Sequence, residues 1–349
     1  MSERIRCGVL GATGMVGQEF VRFLQGHPWF DLTWLGASDR SAGKRYAEAT
    51  SWRLSGAMPS YVRDIVVSES KPDETAPRLM FSSMDASVAT EIERAFAAAG
   101  HVIVSNSRNY RMEPDVPLLV PECNADHIGI LGTQNLRGWS GRIVTNPNCS
   151  TVVLVMALGP LRPWGIQRVL VSTMQAISGA GYPGVASMDI NANVVPFIGG
   201  EEEKMERETQ KILGEFSGGM LSPVAAKVSA SCNRVPVVEG HIMTVSVEFE
   251  RKPTESEILA AWRGWHPIPQ QKGLPSAPPC PVIYMEENDR PQPRRDVERE
   301  NGMAVFTGRL RKCPVLDYKF VALGHNTVRG AAGVAVLNAE LLHAEGLLA

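Results

Sequence analysis

Residues 5–17 read Ile-Arg-Cys-Gly-Val-Leu-Gly-Ala-Thr-Gly-Met-Val-Gly, and this stretch decides the fold class. Its first six residues predict a buried strand, and a helical pattern of apolar residues follows over 15–24. Between them lie three glycines spaced GxxGxxG, where GxGxxG is the commoner form. Such a turn lets backbone N–H groups approach a pyrophosphate at a positively polarised helix N-terminus. The stretch therefore predicts a dinucleotide site, and the alternative is a tight strand-to-helix turn in an unrelated α/β fold.

The rest of the chain predicts an α/β protein of two domains. Strand and helix patterns alternate up to about residue 150, which indicates a parallel sheet. Further strands are predicted at 32–35, 65–67, 79–81, 101–105, 169–174 and within 235–250, and further helices at 87–99, from 152, at 201–213 and at 330–342. We expect a Rossmann-type doubly wound dinucleotide-binding domain (1–150 with 329–349) and an α+β catalytic and oligomerisation domain (151–328).

Two further segments belong to the second domain. The alternating apolar residues of 243–249 suit burial by a partner or by helices, and the sheet face is the expected subunit contact. The proline-rich stretch 267–293 is expected to be a long loop or a domain cover.

Composition excludes several classes of function. Of 349 residues, 44% are hydrophobic and 21% charged, so the chain is not disordered. The net charge of −2 argues against a nucleic-acid partner or a polybasic membrane surface. The six cysteines form no CxxC pair, so no metal site is expected. Residues 1–4 contain no secretory apolar region and the longest apolar stretch is too short to span a bilayer, so we expect a cytoplasmic location.

The end of the second predicted strand indicates which dinucleotide is bound. Asp39 could accept a hydrogen bond from a ribose 2′-hydroxyl, which would favour NAD. Arg40 and Lys44, with the hydroxyls of Ser38 and Ser41, could hold a 2′-phosphate, which favours NADP. We therefore predict NADP and keep NAD as possible; the alternative is an ordinary solvated loop.

Cys149 stands directly before an apolar helix, in Asn-Pro-Asn-Cys-Ser-Thr at 146–151. A helix N-terminus stabilises a thiolate, and its free N–H groups can also hold a developing oxyanion. A lone cysteine is otherwise more often a small buried apolar residue. The turn before it and the predicted dinucleotide domain favour a nucleophile.

Several separated motifs, in order over essentially the whole chain, give a family resemblance. They are Gly-Ala-Thr-Gly-Met-Val-Gly (11–17), Ser-Ala-Gly-Lys (41–44), Tyr-Arg-Met (110–112), Val-Pro-Glu (120–122), Asn-Pro-Asn-Cys-Ser-Thr (146–151), Ser-Gly-Ala-Gly-Tyr-Pro-Gly (178–184), Gly-Gly-Glu-Glu-Glu-Lys (199–204), Arg-Val-Pro-Val-Val-Glu-Gly-His (234–241) and Arg-Pro-Gln-Pro-Arg (290–294). With them the chain resembles the aspartate-β-semialdehyde dehydrogenases, in the branch found in archaea, fungi and some bacteria.

The resemblance implies a reaction. Members reversibly reduce L-aspartyl 4-phosphate with NADPH, releasing phosphate and aspartate semialdehyde, in the pathway to lysine, threonine, methionine and isoleucine. A cysteine thioester is the intermediate, and the family assembles as homodimers or homotetramers. The implied partners are the small substrate and inorganic phosphate.

The resemblance also implies roles for catalytic and substrate-binding residues. Cys149 would be the nucleophile, His241 the general acid/base and Gln175 the residue that orients the thioester. Arg234, seven residues before His241, would bind the substrate α-carboxylate. Otherwise His241 is a strand-end histidine and Gln175 a plain polar edge residue.

The remaining charges complete the expected substrate site. Glu202, with Glu203 as second choice, would bind the α-ammonium, although acidic residues also begin helices for dipole reasons. Lys204 and Arg111 would bind the phosphate, with Arg108 as the alternative to Arg111. The expected cofactor-binding residues are Gly11, Thr13, Gly14, Met15, Val16, Gly17, Ser38, Arg40, Ser41, Lys44, Ser82, Ser83, Gly179, Gly181 and Asn326.

Two other functions compete with this interpretation. A malonyl- or succinyl-CoA reductase of the same superfamily would share Cys149 and His241 but would not need Lys204, Arg111 and Glu202. The Asn-Pro-Asn-Cys-Ser-Thr motif disfavours N-acetyl-glutamyl-phosphate reductase and glyceraldehyde-phosphate dehydrogenase. A non-catalytic NADPH sensor is the alternative from another class, and the retained cysteine, histidine and arginine speak against it.

Overall fold

The computed structural model describes residues 4–348, and its first domain is built on a parallel sheet of six strands. The strand order is β3-β2-β1-β4-β5-β6. These strands are β1 (Ile5–Leu10), β2 (Phe30–Ala37), β3 (Ser68–Glu69), β4 (Leu79–Ser82), β5 (Val102–Ser105) and β6 (Arg142–Thr145). The helices between them are α1 (Met15–Phe23), α2 (Tyr46–Ala49), α3 (Ala86–Ala98) and α4 (Pro121–Asn124), followed by a 3₁₀ segment, Ala125–Arg137. The predicted Rossmann-type domain is confirmed.

The glycine turn has the backbone that its sequence requires. Gly11 has φ +76°, where a side chain would be strained. A Cβ at Gly17 would overlap the Gly11 carbonyl oxygen, so only glycine lets α1 pack this closely on the turn. Gly14 is the N-cap of α1 and has an extended conformation.

The second domain is built on a mixed sheet, in the order β10-β7-β11-β14-β13-β12, and a separate β8-β9 hairpin. The β7–β10 and β12–β13 pairs are parallel and the others antiparallel. The strands are β7 (Ile166–Gln175), β8 (Glu215–Ser217), β9 (Met220–Ser222), β10 (Lys227–Arg234), β11 (His241–Phe249), β12 (Val282–Met285), β13 (Val305–Lys312) and β14 (Tyr318–Gly324). The helices are α5 (Cys149–Leu158), α6 (Ser187–Ile190), α7 (Glu201–Ile212), α8 (Glu255–Arg263), α9 (Ile268–Gln271) and α10 (Pro293–Asp296).

The structure corrects three predicted elements and adds strands that were not predicted. Residues 65–67 do not form the predicted strand. The strand in this region is β3, and residue 66 forms only an isolated bridge. Residues 235–240 form a turn before β11 instead of strand, because Gly240 has φ +97°. The proline-rich stretch 267–293 includes helix α9 and strand β12. Strands β6, β10, β13 and β14 were not predicted, since their alternation is short or interrupted by charged residues.

The apolar face of β11 is covered by helices of the same chain. Met243, Val245 and Val247 are buried in one core with α5 and with Ile258 and Trp262 of α8. Of the two predicted kinds of cover, helices are therefore the one present on this face.

The chain returns to the first domain at its C-terminal end. A π-helical segment, Val328–Ala332, leads into α11 (Gly333–Ala344). Ala335, Val336 and Ala339 are buried in the core of the first domain, which confirms the predicted packing of the last helix. The boundaries 1–150, 329–349 and 151–328 stay a prediction, and residues 1–3 and 349 lie outside the described part of the chain.

Membrane-spanning helices and metal-binding clusters are both absent from residues 4–348. In that range no helix has both the length and the apolar character needed to cross a bilayer. Within the same range, His, Cys, Asp and Glu side chains form no group of three or more that could hold a metal ion.

Candidate active site

Cys149 and His241 meet where the two sheets approach each other. Cys149 is the first residue of α5, and the Asn148 side chain caps this helix by accepting from the Ser150 and Thr151 N–H groups at 3.0 and 3.2 Å. His241 is the first residue of β11. The Cys149 Sγ and His241 Nε2 atoms lie 3.2 Å apart, within reach of proton transfer.

Both groups of this pair are neutral in the ligand-free protein. Burial and then the Glu201 carboxylate raise the pKa of Cys149 to about 12, although Arg111, Arg234 and the Ser150 N–H act in the opposite direction. Burial and then Arg234 lower the pKa of His241 to about 3. The expected helix stabilisation of the thiolate is therefore present but outweighed by burial.

The end of β7 orients the histidine and the arginine together. The Ala176 N–H points at Nδ1 of His241 at 3.1 Å, and the Ala176 carbonyl accepts from Nη1 of Arg234 at 2.7 Å. Arg234 pairs in register with Gln175, whose buried amide donates to the Thr173 hydroxyl at 3.2 Å. Ala176, which sequence reasoning missed, thus fixes both groups through its backbone.

Gly179 lies next to His241 and Arg234. A Cβ there would stand 3.0 Å from Nη1 of Arg234 and 3.0 Å from Cε1 of His241. Any side chain at this position would fill space next to the reactive groups. Glycine therefore leaves an opening between the loop and the Cys149–His241 pair.

The carboxylate beside Cys149 is that of Glu201. Glu201 is buried, accepts from the Asn148 side-chain amide and lies 3.6 Å from the Lys204 ammonium. Glu202 instead accepts from the Cys232 N–H at 2.9 Å, and Glu203 is exposed. Residues three apart share a helix face and the next residue is rotated by about 100°, so Glu201 and Lys204 lie on one side of α7. The predicted contact of Glu202 or Glu203 with the substrate ammonium stays a prediction.

Arg111 is held beside the nucleophile by a buried carboxylate that sequence reasoning missed. Its Nη1 donates to Glu208 at 2.9 Å and its Nη2 to the Asn106 carbonyl at 2.7 Å. The other Glu208 oxygen accepts from the Asn148 N–H at 2.6 Å, so one carboxylate ties Arg111 to the cysteine turn. The alternative, Arg108, is exposed. The available signal was the spacing of Glu208 from Glu201, two helical turns along α7.

A groove beside the glycine turn is lined by Met15 on one side and by Ile177, Ser178 and Gly181 on the other. Thr13, Met15 and Val16 continue the turn into α1, and Ser83 donates to the Leu10 carbonyl at 3.0 Å beside Gly11. The Ser82 hydroxyl is fully buried and donates to Glu93 at 2.7 Å, and the cofactor contact of Ser82 stays a prediction. That hydroxyl faces the core of the domain instead of the groove.

The loop after β2 keeps polar groups at the surface. Ser38, Arg40 and Lys44 are exposed and Ser41 is partly buried. The Lys44 ammonium donates to the Arg40 carbonyl at 2.9 Å, which keeps the two cations on one turn. These residues fit a dianionic ribose phosphate at the carboxyl end of the sheet.

Asn326 ties together the loops at the other end of the groove. Its side chain accepts from the Gly240 N–H at 2.8 Å and donates to the Ser178 hydroxyl at 2.7 Å. Gly181 has φ +70°, and the adjacent Tyr182 ring lies 3.9 Å from the Arg53 guanidinium of the first domain. The 177–184 loop, which contains Gly179, therefore contacts both domains.

Comparison with known proteins agrees with this geometry. Two family models match, "semialdehyde dehydrogenase, NAD binding domain" over residues 6–130 and "semialdehyde dehydrogenase, dimerisation domain" over 158–329. The aspartate-semialdehyde dehydrogenase of Archaeoglobus fulgidus is 49% identical, covering 99% of this chain and 100% of the relative. That of Schizosaccharomyces pombe is 48% identical, covering 98% and 99%.

Solved structures extend the comparison to three dimensions. The Candida albicans aspartate semialdehyde dehydrogenase, solved with NADP, superposes with a TM-score of 0.92 at 42% identity and covers 99% of this chain and 100% of that one. The Vibrio cholerae enzyme II, complexed with ASA, superposes with a TM-score of 0.79 at 26% identity over 99% of each chain. The resemblance found in the sequence is thereby confirmed, and the chain belongs to the aspartate-semialdehyde dehydrogenase family.

Proposed function

We propose that this chain catalyses the reversible, NADPH-dependent reductive dephosphorylation of L-aspartyl 4-phosphate to L-aspartate 4-semialdehyde. The observation that carries the proposal is the 3.2 Å approach of Cys149 Sγ to His241 Nε2 inside a ring of complementary charges. Arg234 and Glu201 would bind the α-carboxylate and the α-ammonium. Lys204 and Arg111 would bind the phosphate.

Nucleophilic catalysis by Cys149 divides the reaction into two easier steps. The sulfur attacks the C4 carbonyl of the acyl phosphate, the C–O bond to phosphate breaks, and a Cys149 thioester remains. The thiol proton leaves on the phosphate, which departs as hydrogen phosphate. His241 moves the proton between the sulfur and the oxygen of the thiohemiacetal that follows reduction. NADPH, when bound at the glycine turn, supplies the hydride. Collapse of the thiohemiacetal then releases the aldehyde and restores the thiol.

The charges around Cys149 favour loss of its proton during attack. In the ligand-free protein, burial and Glu201 hold the thiol protonated. The substrate ammonium would neutralise Glu201, but the carboxylate and phosphate of the same substrate would pair with Arg234 and Arg111. The thiol is therefore deprotonated as it attacks and not when the substrate binds.

Cofactor and assembly follow from the same relatives. The polar loop at Ser38–Lys44 supports NADP, as does the NADP complex of the Candida albicans relative. The dimerisation-domain match supports an oligomer, which we propose is a homodimer or homotetramer. As a biosynthetic enzyme of this family, the protein is proposed to act in the cytoplasm.

The reverse reaction provides the test of function. Purified protein is given aspartate semialdehyde and NADP with or without inorganic phosphate, and NADPH formation is followed. Phosphate-dependent NADPH formation that disappears in Cys149→Ala supports the proposal. NADPH oxidation with malonyl-CoA, and no phosphate-dependent signal, would instead assign the chain to the CoA reductases. Activity with neither substrate would favour a non-catalytic NADPH-binding protein.

A further inference from the structure

Lys211 is a buried lysine on α7. Its ammonium group forms hydrogen bonds to a single segment of the chain, residues 106–116. Its side chain is almost inaccessible, with 3% of the residue exposed. Nζ donates to the carbonyls of Arg111, Glu113 and Val116 at 2.7, 2.8 and 2.8 Å. All three N–H donors of the ammonium are thus used by residues 106–116.

That segment carries Arg111 and has no helix or strand of its own in the described structure. Within it the Glu113 carbonyl also accepts from the Val116 N–H at 3.3 Å, whereas the carbonyls of Arg111 and Val116 accept from Lys211. The same α7 helix holds the Arg111 side chain through Glu208 and carries Glu201 and Lys204 on earlier turns. One helix consequently fixes Lys204 directly and Arg111 at both its backbone and its side chain.

We propose that Lys211 is a positioning residue that holds Arg111 at the phosphate subsite and so sets the affinity of the enzyme for inorganic phosphate. This inference rests on the proposed function. Lys211 acts through Arg111 and does not itself touch the substrate. Loss of its three bonds would free the backbone of Arg111, whereas the substrate groups near Arg234 and Glu201 would keep their positions.

The charge of Lys211 predicts a pH dependence of phosphate affinity that a purely structural role would not produce. Burial lowers the pKa of Lys211 to about 8, against the opposing effect of Asp115, Glu113 and Glu208. A neutral amine has two N–H donors, so one of the three carbonyl bonds is lost as the pH rises through 8. The phosphate affinity set by Lys211 should therefore fall over that range.

The other charged groups facing Lys211 have fixed partners. Asp115 and Glu113 both form ion pairs with Arg137, and the Glu113 pair is 3.0 Å long. Glu208 forms an ion pair with Arg111. His127 on the 125–137 segment faces Lys211 as well, and burial, followed by other effects, lowers its pKa. It is therefore neutral near pH 8 and adds no charge change there.

The test compares Lys211→Met with wild type and with Lys252→Met, whose lysine is half exposed and pairs with Asp317 on the surface. KM for phosphate and KM for aspartate semialdehyde are measured at pH 7 and pH 9. For Lys211→Met we expect phosphate KM to rise about 10- to 100-fold at pH 7, while KM for the semialdehyde stays within about twofold. The difference in phosphate KM between Lys211→Met and wild type should be smaller at pH 9. Ionisation of phosphate itself is the same for both proteins and cancels in the comparison.

Lys211→Gln provides a milder variant, because its neutral amide also has two N–H donors. We expect its phosphate KM at pH 7 to rise relative to wild type, but less than in Lys211→Met. An unchanged phosphate KM in this variant would overturn the inference, as would a parallel loss for both substrates that does not vary with pH. Absence of phosphate-dependent turnover in the wild type would instead overturn the proposed function.

Discussion

Replacing Gly330 by alanine is expected to slow catalysis by displacing Cys149. A Cβ at position 330 would lie 2.7 Å from Cβ and 3.0 Å from Cα of Cys149. Ordinary contact begins at 3.4 Å, so the two segments must separate by about 0.7 Å. The cysteine is 3.2 Å from Nε2 of His241, and its helix cap leaves little freedom to compensate. Since a misplacement of about 1 Å can cost about 100-fold, kcat should fall about 10- to 100-fold.

The free energy of unfolding of Gly330→Ala tests the same contact independently. Helix propensity alone predicts that alanine stabilises the π-helical segment by up to about 1 kcal/mol, whereas overpacking predicts a loss of about 1–3 kcal/mol. Chemical denaturation and the phosphate-dependent assay are run beside Gly132→Ala, where the new Cβ has nothing within 4 Å. Wild-type kcat together with unchanged or increased stability in Gly330→Ala would refute the packing argument.

Three further predictions concern charge at the site. Glu201→Gln should raise KM for aspartate semialdehyde about 10- to 100-fold and Glu202→Gln by less than about threefold; equal effects would contradict the assignment of Glu201. Arg40→Ala should raise KM for NADP about tenfold and leave KM for NAD within about twofold, which initial rates with each nucleotide would measure. Alkylation of Cys149 by iodoacetamide in the ligand-free protein should accelerate about tenfold per pH unit from pH 7 to 9, because burial keeps its pKa at about 12; a plateau below pH 8 would contradict this.

Local sequence was sufficient where the pattern was itself local. The strand, glycine turn and helix of residues 5–24 lie next to each other in the chain, and the structure reproduces them nearly to the residue. The helix after Asn148 was equally readable, because an asparagine cap precedes a continuous apolar run. These two elements account for the position of the dinucleotide groove and of Cys149.

Tertiary contacts explain what the sequence did not reveal. Cys149 and His241 are 92 residues apart in sequence, and only the family resemblance suggested that they meet. The acidic run at the start of α7 left its site residue open, since Glu201 and Glu202 differ only in helix rotation. Glu208 and Lys211 resemble any charged residues of a surface helix until the partner segment is known.

Burial outweighs the effect of the helix N-terminus on the pKa of Cys149. A helix N-terminus lowers a thiol pKa, and that effect is visible at the Ser150 N–H. Burial depends on the 149–158 helix packing into the second core, which a local sequence pattern does not measure. The larger effect was therefore the one that required the structure.

A thioester on Cys149 can be detected in a single-turnover experiment. Enzyme is mixed rapidly with aspartate semialdehyde and NADP in the absence of phosphate, and NADPH is followed by absorbance. A thioester on Cys149 predicts a burst of about one NADPH per active site, with turnover resuming when phosphate is added and no burst in Cys149→Ala. Absence of a burst in the wild type, or a burst that persists in Cys149→Ala, would contradict the claim.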